Sequence, residues 1–590
     1  MDAYPVWFGP EARPLFGWLH APPCATAGAV LCLPLGDESF PAYRAYLRLA
    51  EQLRELEVAV LRFDYTGTGD SAGGIGDVRS VDDWIADVAA ASAYVRSLGV
   101  ADVTLVGLRA GALLAEHAAL RSGASGLVLW DPCESGRHLL RELRLLGATG
   151  ATAPREGRTE SDGTVETPGL VLPPAVAGSF STLVAGAAGV GAPIRSLVLV
   201  RPERPLRPGA RARLDRLEPA WGSAVEMPRF FDVDTWEPFL SEPSLDQIVA
   251  WFDDRRSTLD GIPAAMIAPP EHGDAAVVLA PHGSTAIAER AVTIGESSLF
   301  GILTEPARHQ DAPSTALLLN TGLDRHIGPS RLWVELAREW ASAGARVLRI
   351  DMSGTGDSPA RPGQPREVTY PAGAVDDVIA AASYLAPDEP ATAVLVGTCS
   401  GGYHAIEAGA VLRSRAVWVV NPAVPPASKM PEMMGPGDTR PAPRRAARRL
   451  SPWLAVLAAN GRAVELAHRF VPNVIWSLLD RVGLYAHAAR AFRPLVATGA
   501  TLYVRCGKEE SVRFVARGYS QIRRLERSGR FTFEVDDQLD HTLLDDRSRR
   551  RVAELLGTLM QQGAMRSSPD RPAREVTDLA PLVAREPARP

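Results

Sequence analysis

VLRFDYTGTGDS, residues Val60–Ser71, returns as VLRIDMSGTGDS at Val347–Ser358. Each copy is a short apolar run that ends in a Gly-rich turn, the pattern of a buried strand followed by a tight loop. Three further pairs keep the same order. LFGWL at Leu15–Leu19 matches LFGIL at Leu299–Leu303, and VTLVGLRAG at Val103–Gly111 matches AVLVGTCSG at Ala393–Gly401. LVLWDP, ending at Pro132, matches VWVVNP, ending at Pro422. Four segments in one order, with only small drift in spacing, mark a tandem duplication modified by loop insertions.

Amphipathic stretches separate these strands, with helices expected at 43–56, 81–98, 330–343 and 374–385. Strands alternating with such helices predict an α/β fold: two tandem domains, each a mostly parallel sheet with helices on both faces and a helical cap insertion. In open sheets of this kind, sites form outside the carboxyl ends of the strands, where every turn quoted above lies. The expected division is 1–260 for the first domain, 261–288 for a linker and 289–563 for the second domain, with 564–590 a disordered tail rich in Arg and Pro. Insertions at 134–191 and 425–494 are the expected caps. Within the first, the small-residue stretch 175–193 reads as a helix. The Arg-rich run Arg440–Arg449 in the second reads as a solvated helix start, with a surface for an acidic partner as the alternative.

Composition narrows the class. A net charge of -6 over 590 residues gives no electrostatic case for nucleic acid. Five cysteines without a CxxC pair argue against a disulfide framework or a zinc site and favour a reducing compartment. No signal peptide or membrane span is expected, so the reading is cytoplasmic. Abundant Ala, Gly and Pro, with only Lys429 and Lys508 as lysines, suit a GC-rich bacterial genome.

The chemistry centres on Gly397-Thr398-Cys399-Ser400-Gly401, which follows an apolar strand and precedes an apolar helix. This is the G-x-S-x-G nucleophile elbow with cysteine in place of serine. A strained strand-to-helix turn lifts the nucleophile above the sheet, and Gly397 and Gly401 let neighbouring backbone pass close. The helix N-terminus then favours a thiolate and, later, an oxyanion. The Ser400 amide is one expected oxyanion donor, and the loop Thr321, Gly322, Leu323 supplies the other. Downstream, the strand TLYVRCG leads to Glu510, with Glu509 beside it as the second choice for the triad acid. A final strand, FTFEVD, leads to His541, the expected general base. His404, inside the elbow helix, reads as a packing residue, and the GTGDS aspartates (Asp64, Asp70, Asp351, Asp357) as turn-bonding groups. No metal or cofactor is expected.

The first half departs at the decisive position. Its elbow is Gly107-Leu108-Arg109-Ala110-Gly111, and no histidine follows its late strands before His272. Arginine cannot act as nucleophile there, so this half reads as a degenerate domain with Arg109 in the old oxyanion pocket. Arg109 either binds a carboxylate or fills space, and the structural role is favoured because buried arginines are usually paired.

These residues resemble the α/β-hydrolase superfamily, in its serine aminopeptidase/esterase-like branch with the RFDxxGxGDS turn. The first half is similar to hydrolases found beside bacterial exopolysaccharide and exosortase systems. The second is similar to relatives whose elbow reads CSG, and its cysteine resembles that of dienelactone hydrolase. The resemblance implies acyl transfer on a small-molecule ester or thioester, free or carrier-protein-bound, through a Cys399 thioester. The outcome is hydrolysis (thioesterase or esterase) or transfer (acyltransferase or cyclase), in a context such as natural-product or polysaccharide biosynthesis. The alternative is a non-catalytic scaffold, a pseudo-hydrolase that binds a carrier protein.

Overall fold

The structure is a computed structural model that describes the chain apart from residues 1–2, 150–162, 190–193, 232–238, 257–263, 269, 271–275, 283–284, 309–313, 424–474, 476–488, 508–521 and 568–590. The first half builds an eight-stranded sheet from β1 (Ala3–Phe8), β2 (Leu15–His20), β3 (Ala27–Cys32), β4 (Val58–Phe63), β5 (Val103–Leu108), β6 (Gly126–Trp130), β7 (Arg195–Val200) and β8 (Ala220–Ser223). Its order is β1-β2-β4-β3-β5-β6-β7-β8. Only β2 runs against its neighbours. The central strands are buried along their whole length, so they read as continuous apolar runs.

The second half repeats this with β9 (Ala276–His282), β10 (Thr285–Ile294), β11 (Leu299–Pro306), β12 (Thr315–Leu318), β13 (Arg346–Ile350), β14 (Val394–Thr398), β15 (Ala416–Val420), β16 (Thr501–Gly507) and β17 (Phe531–Asp536). Its order is β9-β10-β11-β13-β12-β14-β15-β16-β17, the same path with β9 added at the edge. The α/β architecture expected from the repeats is therefore observed.

Three expectations need correction. The stretch expected as a linker supplies β9 and the start of β10, whose hairpin lies in the second sheet, while Ala265–Met266 pairs with Cys24–Ala25 of the first half. The helix expected over 175–193 is a short one, Pro174–Phe180; beyond it Val184 bridges Ser135, and Gly186 and Gly189 take positive φ. The first insertion is thus not wholly helical: it also holds a hairpin, Val165–Thr167 with Leu170–Leu172. The tail expected from Ala564 begins inside a helix, Asp546–Ser567. Glu509, Glu510, the Arg440–Arg449 run and nearly all of the 425–494 insertion lie outside the described residues.

The halves face each other through the repeated turns. Arg62 pairs with Asp357 at 3.0 Å, and Arg349 pairs with Asp70 at 2.5 Å. Arg349 and Asp357 are the second-half counterparts of Arg62 and Asp70, each 287 residues on (62 to 349, 70 to 357). Phe16 stacks on its own counterpart, Phe300, at 6.4 Å between ring centres. Residue i on j together with j on i, and a self-contact at the centre, are the signature of a two-fold interface. Around this axis Arg325 binds Asp64 at 2.6 Å, and Arg331 donates to the carbonyls of Gly69, Ser71 and Gly73. His326 bridges Asp351 (2.9 Å) and Asp70 (2.7 Å) and is fully buried. Burial works against its charge, yet Asp70 and Asp351 raise its pKa to about 10.

Candidate active site

β14 ends at Thr398, and the next residue, Cys399, opens the helix Cys399–Leu412 with φ +51°. A non-glycine side chain in that region is uncommon and marks a strained, functional turn. A Cβ on Gly401 would meet the Asn320 carbonyl oxygen at 2.1 Å, so only glycine fits two residues after Cys399. Cys399 is 5% exposed. Arg109 occupies the same turn of the first half, with φ +54°, directly ahead of the helix Ala110–Ser122.

Thr321, Gly322 and Leu323 follow β12 and reach the elbow. The Gly322 N–H donates to Ser400 Oγ at 2.9 Å, and the Thr321 and Thr398 hydroxyls share a hydrogen bond. The Gly322 N–H, on the loop expected to supply the second oxyanion donor, is therefore engaged by the elbow itself. Leu323 lines the adjoining cavity.

His541 follows β17 on a loop held by Asn421, which stands after β15 with φ +46°. Asn421 Nδ2 donates to the carbonyls of Asp540 (3.0 Å) and His541 (3.3 Å), while its Oδ1 accepts the Gly507 N–H at 2.7 Å. One amide thus fastens the His541 loop to the end of β16, from which the expected acid loop departs. Sequence reasoning missed this residue; its only signal was the NP at the end of the repeated VWVVNP strand. Two acids close to His541 in sequence are otherwise engaged. Asp536 pairs with Arg505 and Arg551, and Asp540 accepts the Leu544 N–H and the Thr542 hydroxyl.

Cys399 and His541 both line one cavity of about 760 Å³ whose walls come from both halves. The first half contributes Gly36, Phe40, Arg44 and the 165–172 hairpin, including Leu170 and Val171. Gly169 N–H donates to the Leu544 carbonyl, and Glu166 accepts the Asp546 N–H, which fixes that hairpin beside the His541 loop. Burial raises the Asp324 carboxyl, also on the wall, to about 7 against the pull of Arg325. His404 is buried, donates from Nε2 to the Thr369 carbonyl at 3.0 Å, and is lowered to about 4 by burial. It packs beside Tyr370, in keeping with a packing role.

Arg109 is closed in by acids of its own half: Glu38 at 3.0 Å, Glu142 at 3.0 Å and Asp131 at 3.8 Å. Burial opposes its charge, but these neighbours and Cys133 hold its pKa high. The first-half position equivalent to Cys399 is filled by an internal ion-pair knot. His326, Asp351 and Asp357 lie close enough together to suggest a cation site, but both His326 nitrogens are bonded and Arg62 holds Asp357.

A family model described as serine aminopeptidase, S33, matches residues 41–153, and one described as alpha/beta hydrolase family matches 316–555. No curated protein matches the chain. Similar solved structures include a hydrolase from Agrobacterium vitis S4 (15% identity, 44% of this chain, 99% of that one, TM-score 0.29). Others are Est1E from Butyrivibrio proteoclasticus (14%, 43%, 98%, 0.31) and mouse alpha/beta hydrolase domain-containing protein 10 (16%, 43%, 99%, 0.30). Among the described residues, no helix is long and apolar enough to cross a membrane.

Proposed function

We propose, from the membership of both halves in the α/β-hydrolase family, that the chain is an acyl-transfer enzyme with Cys399 as its nucleophile. The observation that carries this is Cys399 at positive φ on a glycine-flanked elbow, lining the same cavity as His541. His541 takes the thiol proton, and the sulfur attacks the carbonyl carbon of an ester or thioester. The amides of Ser400 and Leu323 are our oxyanion donors, because Gly322 is engaged by Ser400. As the tetrahedral intermediate collapses, the bond to the leaving group breaks and His541 returns its proton to that group. Water or an acceptor nucleophile then releases the acyl group from the thioester. Glu510, with Glu509 second, is our assignment for the acid that orients His541. The engagement of Asp536 by Arg505 and Arg551 supports a partner on that loop.

The alternative is a scaffold in which Cys399 is inert, a reading favoured by its deep burial. Intact-protein mass spectrometry after incubation with simple acyl thioesters separates the two. Acyl adducts on the wild type, absent in Cys399→Ala and slowed in His541→Ala, uphold the enzyme. Their decay in water against amines distinguishes hydrolase from transferase. A Cys399 that no thioester labels, and that iodoacetamide alkylates no faster than a free thiol, sinks it.

A further inference from the structure

Among the described residues, buried arginines are hydrogen-bonded with one exception, which belongs to the lining of the shared cavity. Arg331 gives its donors to three carbonyls, Arg338 to Glu289 and the Asp70 carbonyl, and Arg349 to Asp70 and Glu289. Arg44, on the first-half helix Ser39–Glu55, is 8% exposed, yet its Nε and both Nη atoms have no hydrogen-bond partner among the described residues. Its ion-pair partner is Glu367 of the second half at 3.8 Å, too far for a hydrogen bond. The guanidinium lies 4.7 Å from the centre of the Phe40 ring, which fixes its plane. Phe40, Arg44 and Glu367 all line the cavity that Cys399 and His541 line. Burial lowers the pKa of Arg44 while Glu367 and Asp324 oppose that loss, so the group stays a cation with its donors unspent.

Five N–H donors in a planar fork match a carboxylate or phosphate, and a buried guanidinium without hydrogen bonds is a standing cost that such an anion removes. We propose that Arg44 is the anion-recognition residue of the Cys399 site, and that the acyl substrate carries a carboxylate or phosphate group away from the reacting carbonyl. The proposal rests on the acyl-transfer reading and deepens it. The half without a nucleophile thereby supplies substrate specificity to the half that has one.

The experiment uses the full chain and two pairs of thioesters. S-glutaryl- and S-pentanoyl-N-acetylcysteamine differ by a terminal carboxylate on the acyl chain. S-pentanoyl-phosphopantetheine and S-pentanoyl-pantetheine differ by a phosphate on the carrier arm. The readout is the concentration that half-saturates acylation of Cys399, followed by intact mass. The expected result is that one anionic member half-saturates at a concentration roughly tenfold or more below that of its neutral twin. That advantage disappears in Arg44→Met and returns in part in Arg44→Lys, with melting curves verifying that both variants fold. Which pair shows the effect identifies the source of the anion. Equal behaviour within both pairs, or an advantage that survives Arg44→Met, overturns the proposal while leaving the Cys399 chemistry standing. If no probe acylates Cys399, the acyl-transfer reading fails by itself, and calorimetry with glutarate and inorganic phosphate decides the anion site. Heat lost in Arg44→Met upholds that site, and no heat with the wild type rejects it.

Discussion

Asp70→Asn probes the contact between the halves with almost no change in shape. Asp70 is fully buried; its carboxylate takes Arg349 at 2.5 Å on one oxygen and His326 at 2.7 Å on the other, both from the second half. The local turn does not depend on that side chain, since it is the Asp64 carboxylate that accepts the Asp70 N–H. The substitution therefore takes from each of two buried cations one of its two carboxylates, leaving Arg349 with Glu289 and His326 with Asp351, while sparing the turn. Removing one member of a buried pair costs about 3–5 kcal/mol. With some 2–4 °C per kcal/mol for domains of this size, melting should fall by roughly 10 °C. The pH profile adds a second reading. The folded pKa of His326 is raised from 6.5 to about 10, so its contribution is fully present below its unfolded pKa and is lost as pH rises through about 10. Asp70→Asn lowers that folded pKa, so the alkaline loss of stability is smaller and is complete at a lower pH than in the wild type. Thermal melts of the intact chain across the alkaline range test both. A melting point within about 2 °C of the wild type, or an unmoved alkaline limb, would refute the claim that Asp70 serves the partner half.

Gly401→Ala forces a Cβ against the Asn320 carbonyl, 2.1 Å away, so the elbow must shift; Cys399 acylation should drop to the level of Cys399→Ala. Asn421→Ala frees the loop that carries His541 from the end of β16, and the acylation rate constant should fall about a hundredfold, the usual penalty for a base misplaced by an ångström. A change under about threefold would show that the loop holds its place without Asn421. Arg109→Met leaves the buried Glu38 without its cation, while Glu142 keeps Arg204 and Asp131 keeps Arg201. Urea unfolding should report a loss of about 3–5 kcal/mol, against little change if Arg109 only fills space.

The two sheets were legible because each repeat states its strand, turn and strand again in short-range pattern. Cys399 was legible for the same reason: the glycines that shape its turn lie two residues away on either side. His326 was not, because the aspartate on its Nε2 lies in the other half. Arg44 was hidden likewise, since its environment is a cavity assembled from both halves. Asn421 acts by tying together two loops that are distant in the chain, 86 and 120 residues from it, and no local spacing announces that. The expected linker was misread on composition, although Ile287, Glu289 and Ala291 alternate with neighbours on the other face, as a half-buried strand should. Glu289 then sits inward, fully buried, as the counter-charge for Arg338 and Arg349.

The reciprocal contacts of Arg62 with Asp357 and Arg349 with Asp70 are those of a symmetric dimer written on a single chain. A dimer made of separate copies dissociates on dilution, and any change in one copy appears in both. Joining the copies replaces protein concentration with the fixed local concentration set by the connection, so pairing holds at any dilution. It also breaks the identity of the two members: the elbow carries Arg109 in one and Cys399 in the other. Every chain then carries one site and one dedicated wall for it, in a ratio that expression level cannot alter.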